Sequence, residues 1–156
     1  MEGVPRWLKR RLGDDDLVAI AEAVRDAEAT TSAEIRVHLE PRVPRARLGK
    51  SLAPLERARE VFANLGMHQT RERNGVLLYV AFEDRKLAVV GDDAIHARVG
   101  DRYWADIRDL MVGRFRQGAN REAIVLAVGD IGATLARHFP RRPDDVDELP
   151  NRVSFE

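Results

Sequence analysis

Hydrophobic positions recur with the spacing of an α-helix in several stretches of the chain. Each stretch follows a residue that favours a helix start: the acidic run Asp14–Asp16, Pro54, Asp101 or Asn120. Carboxylates suit the positive end of a helix, Pro is tolerated in the first turn, and Asp and Asn are common caps. We therefore predict a helix at each position, the first running to about residue 29 and the last stopped by Pro140.

Strand patterns lie between these helices. Residues 34–40 alternate polar and apolar positions, whereas residues 76–81 are a continuous apolar run typical of a central strand. Only residues 83–85 separate that run from the strand pattern at 86–90, which predicts an antiparallel hairpin. A helix connects the first two strands, so they run parallel with a right-handed crossover. The sequence thus predicts an α/β fold, a three-layer α/β/α sandwich around a small mixed sheet.

The predicted domain covers residues 14–139. Residues 1–13 form a basic N-terminal segment, in which Trp7 favours a short docking helix over a separate interaction segment. Residues 140–156 are rich in charged residues and proline, and we expect a polar flexible tail.

Composition narrows the classes of function. The 156 residues fit one domain, and there is no cysteine, so disulfides, thiolate metal sites and cysteine nucleophiles are excluded. Lys and Arg together equal Asp and Glu, 26 against 26, which argues against binding nucleic acid by bulk charge. With no secretory signal and no apolar stretch long enough for a membrane span, the expected location is cytoplasmic.

The predicted strand directions bring polar residues to one edge of the sheet. Both parallel strands begin at this edge and the antiparallel third strand ends there, so the residues flanking these strand ends should lie close together. Clustered carboxylates with an amide oxygen are ligands suited to Ca²⁺ or Mg²⁺. The candidate metal ligands are Glu34, Asn74, Asp92 and Asp101.

A purely structural interpretation of the same residues stays open. Asp92 and Asp93 can solvate a turn, Asp101 can cap its helix, and Asn74 before Gly75 is common in turns. At the opposite end of the sheet, residues 41–50 form a basic loop. The loop is either a site for a phosphate or acidic partner or a flexible charged loop. Its cationic residues are Arg42, Arg45, Arg47 and Lys50.

Several runs of residues resemble the TPM domain family, also called the TPM phosphatase domain. They are 31–37 (TSAEIRV), 73–80 (RNGVLLYV), 84–92 (DRKLAVVGD), 99–101 (VGD) and 114–118 (RFRQG), and the resemblance covers roughly residues 14–139. It implies an α/β/α sandwich, and either divalent-cation binding or a weak acid phosphatase activity. The site residues that the resemblance implies are again Glu34, Asn74, Asp92 and Asp101. The family often has an asparagine at the position of Arg73.

Three hypotheses about function follow. The preferred one is a non-catalytic module that binds a divalent cation or a protein partner at the acidic edge. The second is a metal-assisted phosphatase in which Asp93 or His96 relays a proton. The third is a structural interaction domain that uses the basic loop or the Trp7 segment.

Overall fold

The computed structural model describes residues 3–46, 49–50, 52–143 and 153–155. Its strands are β1 (Ile35–Glu40), β2 (Val76–Ala81), β3 (Lys86–Gly91) and β4 (Val153–Phe155). Its helices are α1 (Arg6–Lys9), α2 (Asp14–Glu28), α3 (Pro54–Asn64), α4 (Asp93–Arg116) and α5 (Asn120–His138), with a 3₁₀ turn at Met67–Gln69. Among these helices, none is both long and apolar enough to cross a membrane.

The strands form one mixed sheet in the order β3-β2-β1-β4. β1 and β2 are parallel, with Ile35 opposite Val76, and β2 and β3 are antiparallel, with Val76 opposite Gly91. Both relations confirm the predicted β-α-β unit and hairpin. β3 therefore lies at one edge of the sheet, next to the central strand β2.

Helices cover both faces of this sheet, which confirms the predicted three layers. Val37 and Leu78 belong to the larger hydrophobic cluster, which includes buried residues of α2, α4 and α5. The other face carries Leu77, which packs in a smaller cluster with Phe62 of α3 and with Met67. Alternate side chains of a strand point to opposite faces, so each of the two clusters takes one set.

α4 begins earlier than the sequence predicts. The helix starts at Asp93 rather than Asp101, because the Asp92 carboxylate accepts a hydrogen bond from the backbone N–H of Asp93 and caps it. Gly100 has a left-handed φ of 76° and interrupts the helix before Asp101. The acidic turn predicted after β3 is therefore a helix start.

Asn120 does not cap α5 as predicted. It is the first helical residue after Ala119, and its side-chain amide donates to the carbonyl of Arg11 at 3.1 Å. The side chain thus ties the start of α5 to the N-terminal segment.

The N-terminal segment packs on the domain. Leu8 of α1 and Leu12 are fully buried in the larger cluster, and Trp7 lies 6.4 Å from Phe82 between ring centroids. This packing agrees with a short docking helix. Leu8 and Leu12 are part of the core, so removing them would open it.

The C-terminal part of the chain contributes β4, where the sequence predicts a polar tail. Val153 to Phe155 pair in parallel with Val37 to Leu39. Val153 and Phe155 pack against the larger cluster, while the Ser154 hydroxyl reaches His38 on the other face. This alternation fits a half-buried strand.

Candidate functional site

The backbone at the predicted acidic edge converges as the strand directions require. The N–H of Val76 donates to the carbonyl of Glu34 at 2.8 Å, which joins the starts of β1 and β2. The N–H of Asp92 donates to the carbonyl of Gly75 at 2.9 Å, which returns the end of β3 to the same edge.

The side chains at this edge divide into separate contacts. The Asn74 amide donates to Glu72 Oε2 at 3.3 Å and to Ser32 Oγ at 3.5 Å, and Asn74 is 1% exposed. The Ser32 hydroxyl donates to the same Glu72 oxygen at 2.7 Å. Asn74 is therefore engaged with the residues that connect α2 to β1 and precede β2, rather than with Asp92.

Asp92 and Asp93 both face the guanidinium group of Arg73. Arg73 Nε lies 3.5 Å from Asp92 Oδ2, and its Nη2 lies 3.7 Å from Asp93 Oδ2. Arg73 also has a left-handed φ of 55°, which is uncommon for a residue with a side chain. The Asp92 side chain is 6% exposed, whereas that of Asp93 is 91% exposed.

Asp101 pairs with His96 at the surface of α4. Asp101 Oδ1 lies 3.4 Å from His96 Nε2, and the Trp104 indole N–H donates to His96 Nδ1 at 3.0 Å. Since the indole can only donate, Nδ1 accepts and the ring proton sits on Nε2, facing Asp101. In this arrangement both nitrogens of His96 contact neighbouring side chains.

The predicted metal ligands are thus near one edge but do not form one donor set. Glu34 is buried at the start of β1, and Asp101 is 98% exposed on α4. Among the residues that the structure describes, no group of three or more His, Asp or Glu side chains is arranged to hold a metal ion.

A groove of about 640 Å³ runs from this edge along β3, between α3 and α4. Asp92, Asp93 and Asp101 line one end, and the backbone of β3 forms the floor. Phe62 of α3 and Trp104 of α4 stand on its two sides.

The floor of the groove presents backbone groups that β2 does not use. Gly75 and Asp92 face each other and are hydrogen-bonded, so every second residue of β3 bonds to β2. The N–H and C=O groups of Leu87, Val89 and Gly91 therefore point away from the sheet. β3 has no other strand partner among the described residues.

A family model, the TPM domain, matches residues 10–134 of the chain. The chain belongs to the TPM domain family. Its structure is similar to the NMR structure of BA42, from the psychrophilic bacterium Bizionia argentinensis, with a TM-score of 0.80 and 40% sequence identity. The match covers 93% of this chain and 95% of BA42. A search of the curated proteins found no match.

Two cationic side chains of this TPM domain flank the middle of the groove. Arg59 on α3 and Arg108 on α4 line it from opposite sides, and both are exposed. Neither makes an ion pair with another described residue. The groove is therefore acidic at one end and basic along its sides.

A buried polar network lies on the α3 face of the TPM domain, and sequence reasoning missed it. Glu40 of β1 accepts from the Tyr79 hydroxyl at 2.6 Å and from Arg57 Nε at 3.1 Å, and a second Arg57 nitrogen reaches its other oxygen. His38 Nε2 lies 3.3 Å from Glu40 Oε1, and His38 Nδ1 lies 2.7 Å from Ser154 Oγ.

These hydrogen bonds determine the charge state of Glu40. Burial alone would raise its pKa, but hydrogen bonds from His38, Arg57 and Tyr79 outweigh burial and lower the pKa to about 2. The hydrogen bond with Glu40 raises the pKa of Arg57. Burial, and then the hydrogen bond to Glu40, raises the pKa of Tyr79. The sequence carries one signal of this network: Tyr79 is the only polar side chain in the apolar run of β2.

The basic loop that was a candidate site is largely engaged within the protein. Arg42 pairs with Glu83 at 3.2 Å and lies 4.0 Å from Asp84, and Arg45 donates to the carbonyl of Gly49 at 3.2 Å. Lys50 is exposed, and Arg47 lies outside the described residues.

Proposed function

We propose that this TPM domain is a binding module that takes an extended segment of a partner protein along β3. The observation that carries the proposal is the outer edge of β3 at the floor of the groove, which pairs with no other strand in the described part of the chain. The groove also contains three of the acidic-edge residues, Asp92, Asp93 and Asp101.

Backbone pairing supplies the binding energy in this mode. The outward N–H and C=O groups of Leu87, Val89 and Gly91 offer a template for one more strand. An extended peptide pairs with such an edge through its main chain, and alternate side chains enter flanking pockets. Leu55, at 40% exposure, provides apolar surface for those side chains on the α3 side.

The charges around the groove define the chemistry of the partner. The acidic end suits a lysine or an amino terminus, because Asp93 and Asp101 are exposed there. Arg59 and Arg108 suit acidic side chains in the middle of the peptide. The partner is therefore an extended segment with acidic residues at its centre and a positive group at one end.

Proline at an outward-facing position tests the backbone pairing directly. Val89→Pro removes an N–H that points away from β2, so the sheet keeps its own hydrogen bonds. Peptides are first selected on the wild-type domain from a library of random dodecapeptides, and affinities are measured by fluorescence anisotropy. We expect Val89→Pro to weaken binding by at least about tenfold, and the matched Val89→Ala variant, which keeps the N–H, to bind like wild type.

Equal binding by Val89→Pro, with its NMR spectrum unchanged, would overturn the proposal, and so would a library that yields no binder. A second experiment tests the role of charge by comparing Arg108→Glu with Arg114→Glu. Arg114 is an exposed residue of the same helix that lies outside the groove. Only the first should weaken acidic peptides.

A divalent cation is the second candidate for the acidic end of the groove. One observation favours it: Asp92 Oδ2 is buried and accepts no hydrogen bond from a described residue, with only Arg73 Nε nearby at 3.5 Å. In the wild type, the guanidinium of Arg73 occupies the place next to Asp92 where a metal ion would bind. An asparagine at position 73 removes this positive charge and provides an amide oxygen as a metal ligand. Ca²⁺ is therefore expected to bind Arg73→Asn more tightly than the wild type.

Calorimetric titration with Ca²⁺ and with Mg²⁺ measures this difference, and a ligand of the native state must also raise the melting temperature. No heat and no shift at millimolar metal in either protein would exclude the cation. The phosphatase alternative has no comparable observation in its favour, given the contacts of both His96 nitrogens.

A further inference from the structure

A second groove lies at the opposite end of the sheet, where β2 ends and β3 begins. Its volume is about 610 Å³. Phe82 and Leu87 contribute from the hairpin, and Val112 and Phe115 contribute from the end of α4. Phe82 and Phe115 pack edge to face with 5.7 Å between ring centroids. The floor of this groove is therefore apolar, and aromatic packing holds it in place.

Four cationic side chains surround this apolar floor: Arg11, Arg85, Lys86 and Arg116. All four are exposed, and none makes an ion pair with another described residue. No Asp or Glu in the described part of the chain lines the groove. Because the whole chain has 26 basic and 26 acidic residues, the positive charge here is a local excess rather than a property of the composition.

The neighbouring acidic residues of the hairpin turn are engaged elsewhere. Glu83 pairs with Arg10 at 3.5 Å and with Arg42 at 3.2 Å. Asp84 accepts a hydrogen bond from the backbone N–H of Val43 at 2.7 Å. The turn thus directs its carboxylates to Arg10 and to the basic loop, whereas Arg85 lines the groove.

We propose that this groove binds a small amphipathic anion, a carboxylate or phosphate carried on an apolar chain or ring. Unpaired like charges repel one another, and an anion among them relieves that repulsion. Guanidinium groups such as those of Arg85 and Arg116 bind carboxylate and phosphate oxygens in pairs. The volume lies within the range of small-molecule sites, roughly 300–1,000 Å³.

The apolar floor distinguishes this ligand from an inorganic anion. Leu87, Val112 and Phe115 are half-buried and remain accessible from the groove. An apolar group that covers them removes hydrocarbon from water, and free phosphate does not. Affinity therefore requires both the charge and the apolar group.

A matched set of naphthalene probes separates these two requirements. NMR titrations of the ¹⁵N-labelled domain use 1-naphthoate, the neutral 1-naphthylmethanol, the cationic 1-naphthylmethylamine, and inorganic phosphate. We expect 1-naphthoate to shift the amide signals of Phe82, Leu87 and Phe115, with affinity at least about tenfold above the other probes. Decanoate, tested in the same way, shows whether a chain serves as well as a ring.

The variants identify the groove as the site. Arg85→Gln combined with Arg116→Gln should weaken 1-naphthoate by at least about tenfold. The control combines Arg25→Gln with Arg114→Gln, two exposed arginines that line neither groove. Equal affinity for the neutral probe, equal affinity in both double variants, or shifts confined to other residues would overturn the proposal. Phosphate binding as tightly as 1-naphthoate would overturn its amphipathic part.

Discussion

Glu40 and Asp92 are both buried carboxylates at opposite ends of one sheet, and their surroundings differ. Glu40 accepts hydrogen bonds from Tyr79 and Arg57, and its pKa falls to about 2. Asp92 caps a helix with one oxygen, while the other accepts no hydrogen bond from a described residue and faces Arg73. The comparison teaches that burial alone does not define a site. The carboxylate of Glu40 is satisfied within the protein, and the less satisfied Asp92 is the basis of the cation proposal.

Arg57→Met should cause the largest loss of stability, because it leaves the charge of Glu40 buried without its partner. Breaking a buried pair from one side costs about 3–5 kcal/mol, and protonation of Glu40 will reduce the loss at low pH. Urea denaturation at neutral pH measures the effect. The control is Arg59→Met, an exposed arginine on the same helix, which should stay within about 0.5 kcal/mol of wild type. Equal losses of stability in the two variants would show that the network around Glu40 does not stabilise the fold.

Acid should remove the contribution of Glu40 in a defined pH range. Its pKa in the folded protein is about 2 against an ordinary value of 4.5. A lowered folded pKa stabilises the protein above pH 4.5, and this stabilisation is lost as the pH falls towards 2. The contribution is about 3 kcal/mol, since each pKa unit corresponds to about 1.4 kcal/mol.

Denaturation curves between pH 6 and pH 2.5 for wild type and Glu40→Gln measure that contribution. The variant should lose less stability than wild type over this range, because Gln does not titrate. Parallel pH profiles of the two proteins would contradict the expectation.

Tyr79→Phe should have an intermediate effect, because it removes one of the hydrogen bonds to Glu40 and leaves Arg57 in place. A hydrogen bond to a charged group contributes about 1.5–3 kcal/mol. The side chain keeps its volume apart from the hydroxyl, so packing with α3 is preserved. Thermal denaturation is the readout, and a change below about 0.5 kcal/mol would assign little importance to this bond.

Asp101→Asn should have the smallest effect on stability, because its pair with His96 is exposed. Exposed contacts of a carboxylate with a polar or charged side chain contribute at most about 1 kcal/mol. The same variant should weaken peptides selected on the β3 groove if their positive end binds there. A large loss of stability would mean that Asp101 serves the fold rather than a ligand.

The backbone of the acidic edge was predictable from the sequence, but the partners of its side chains were not. The apolar run of β2 and the short hairpin turn determine the strand directions, and these directions bring Glu34 and Asp92 to one edge. Which oxygen faces which donor depends on rotamers and on the start of α4. A pattern of apolar residues does not report either. The sequence predicts turn residues at Asp92 and Asp93 and a helix cap at Asp101, whereas in the structure Asp92 is the cap.

The network around Glu40 was missed for a different reason. The alternation in β1 is typical of a half-buried strand, whereas its polar residues Arg36, His38 and Glu40 are buried as well. Period-2 alternation separates the two faces of a strand, but it does not distinguish a solvated face from a buried polar one. β4 was missed because three residues after a charged stretch give no periodicity to recognise.

The position of β4 has a consequence for biosynthesis. Among the four described strands, β4 is the last in chain order, yet it pairs with β1, which is synthesised before the other three. On a nascent chain, the outer edge of β1 lacks this partner until translation has passed Phe155. An open strand edge can pair with other chains, so that interval is when the protein is most exposed to misassembly and to chaperone binding.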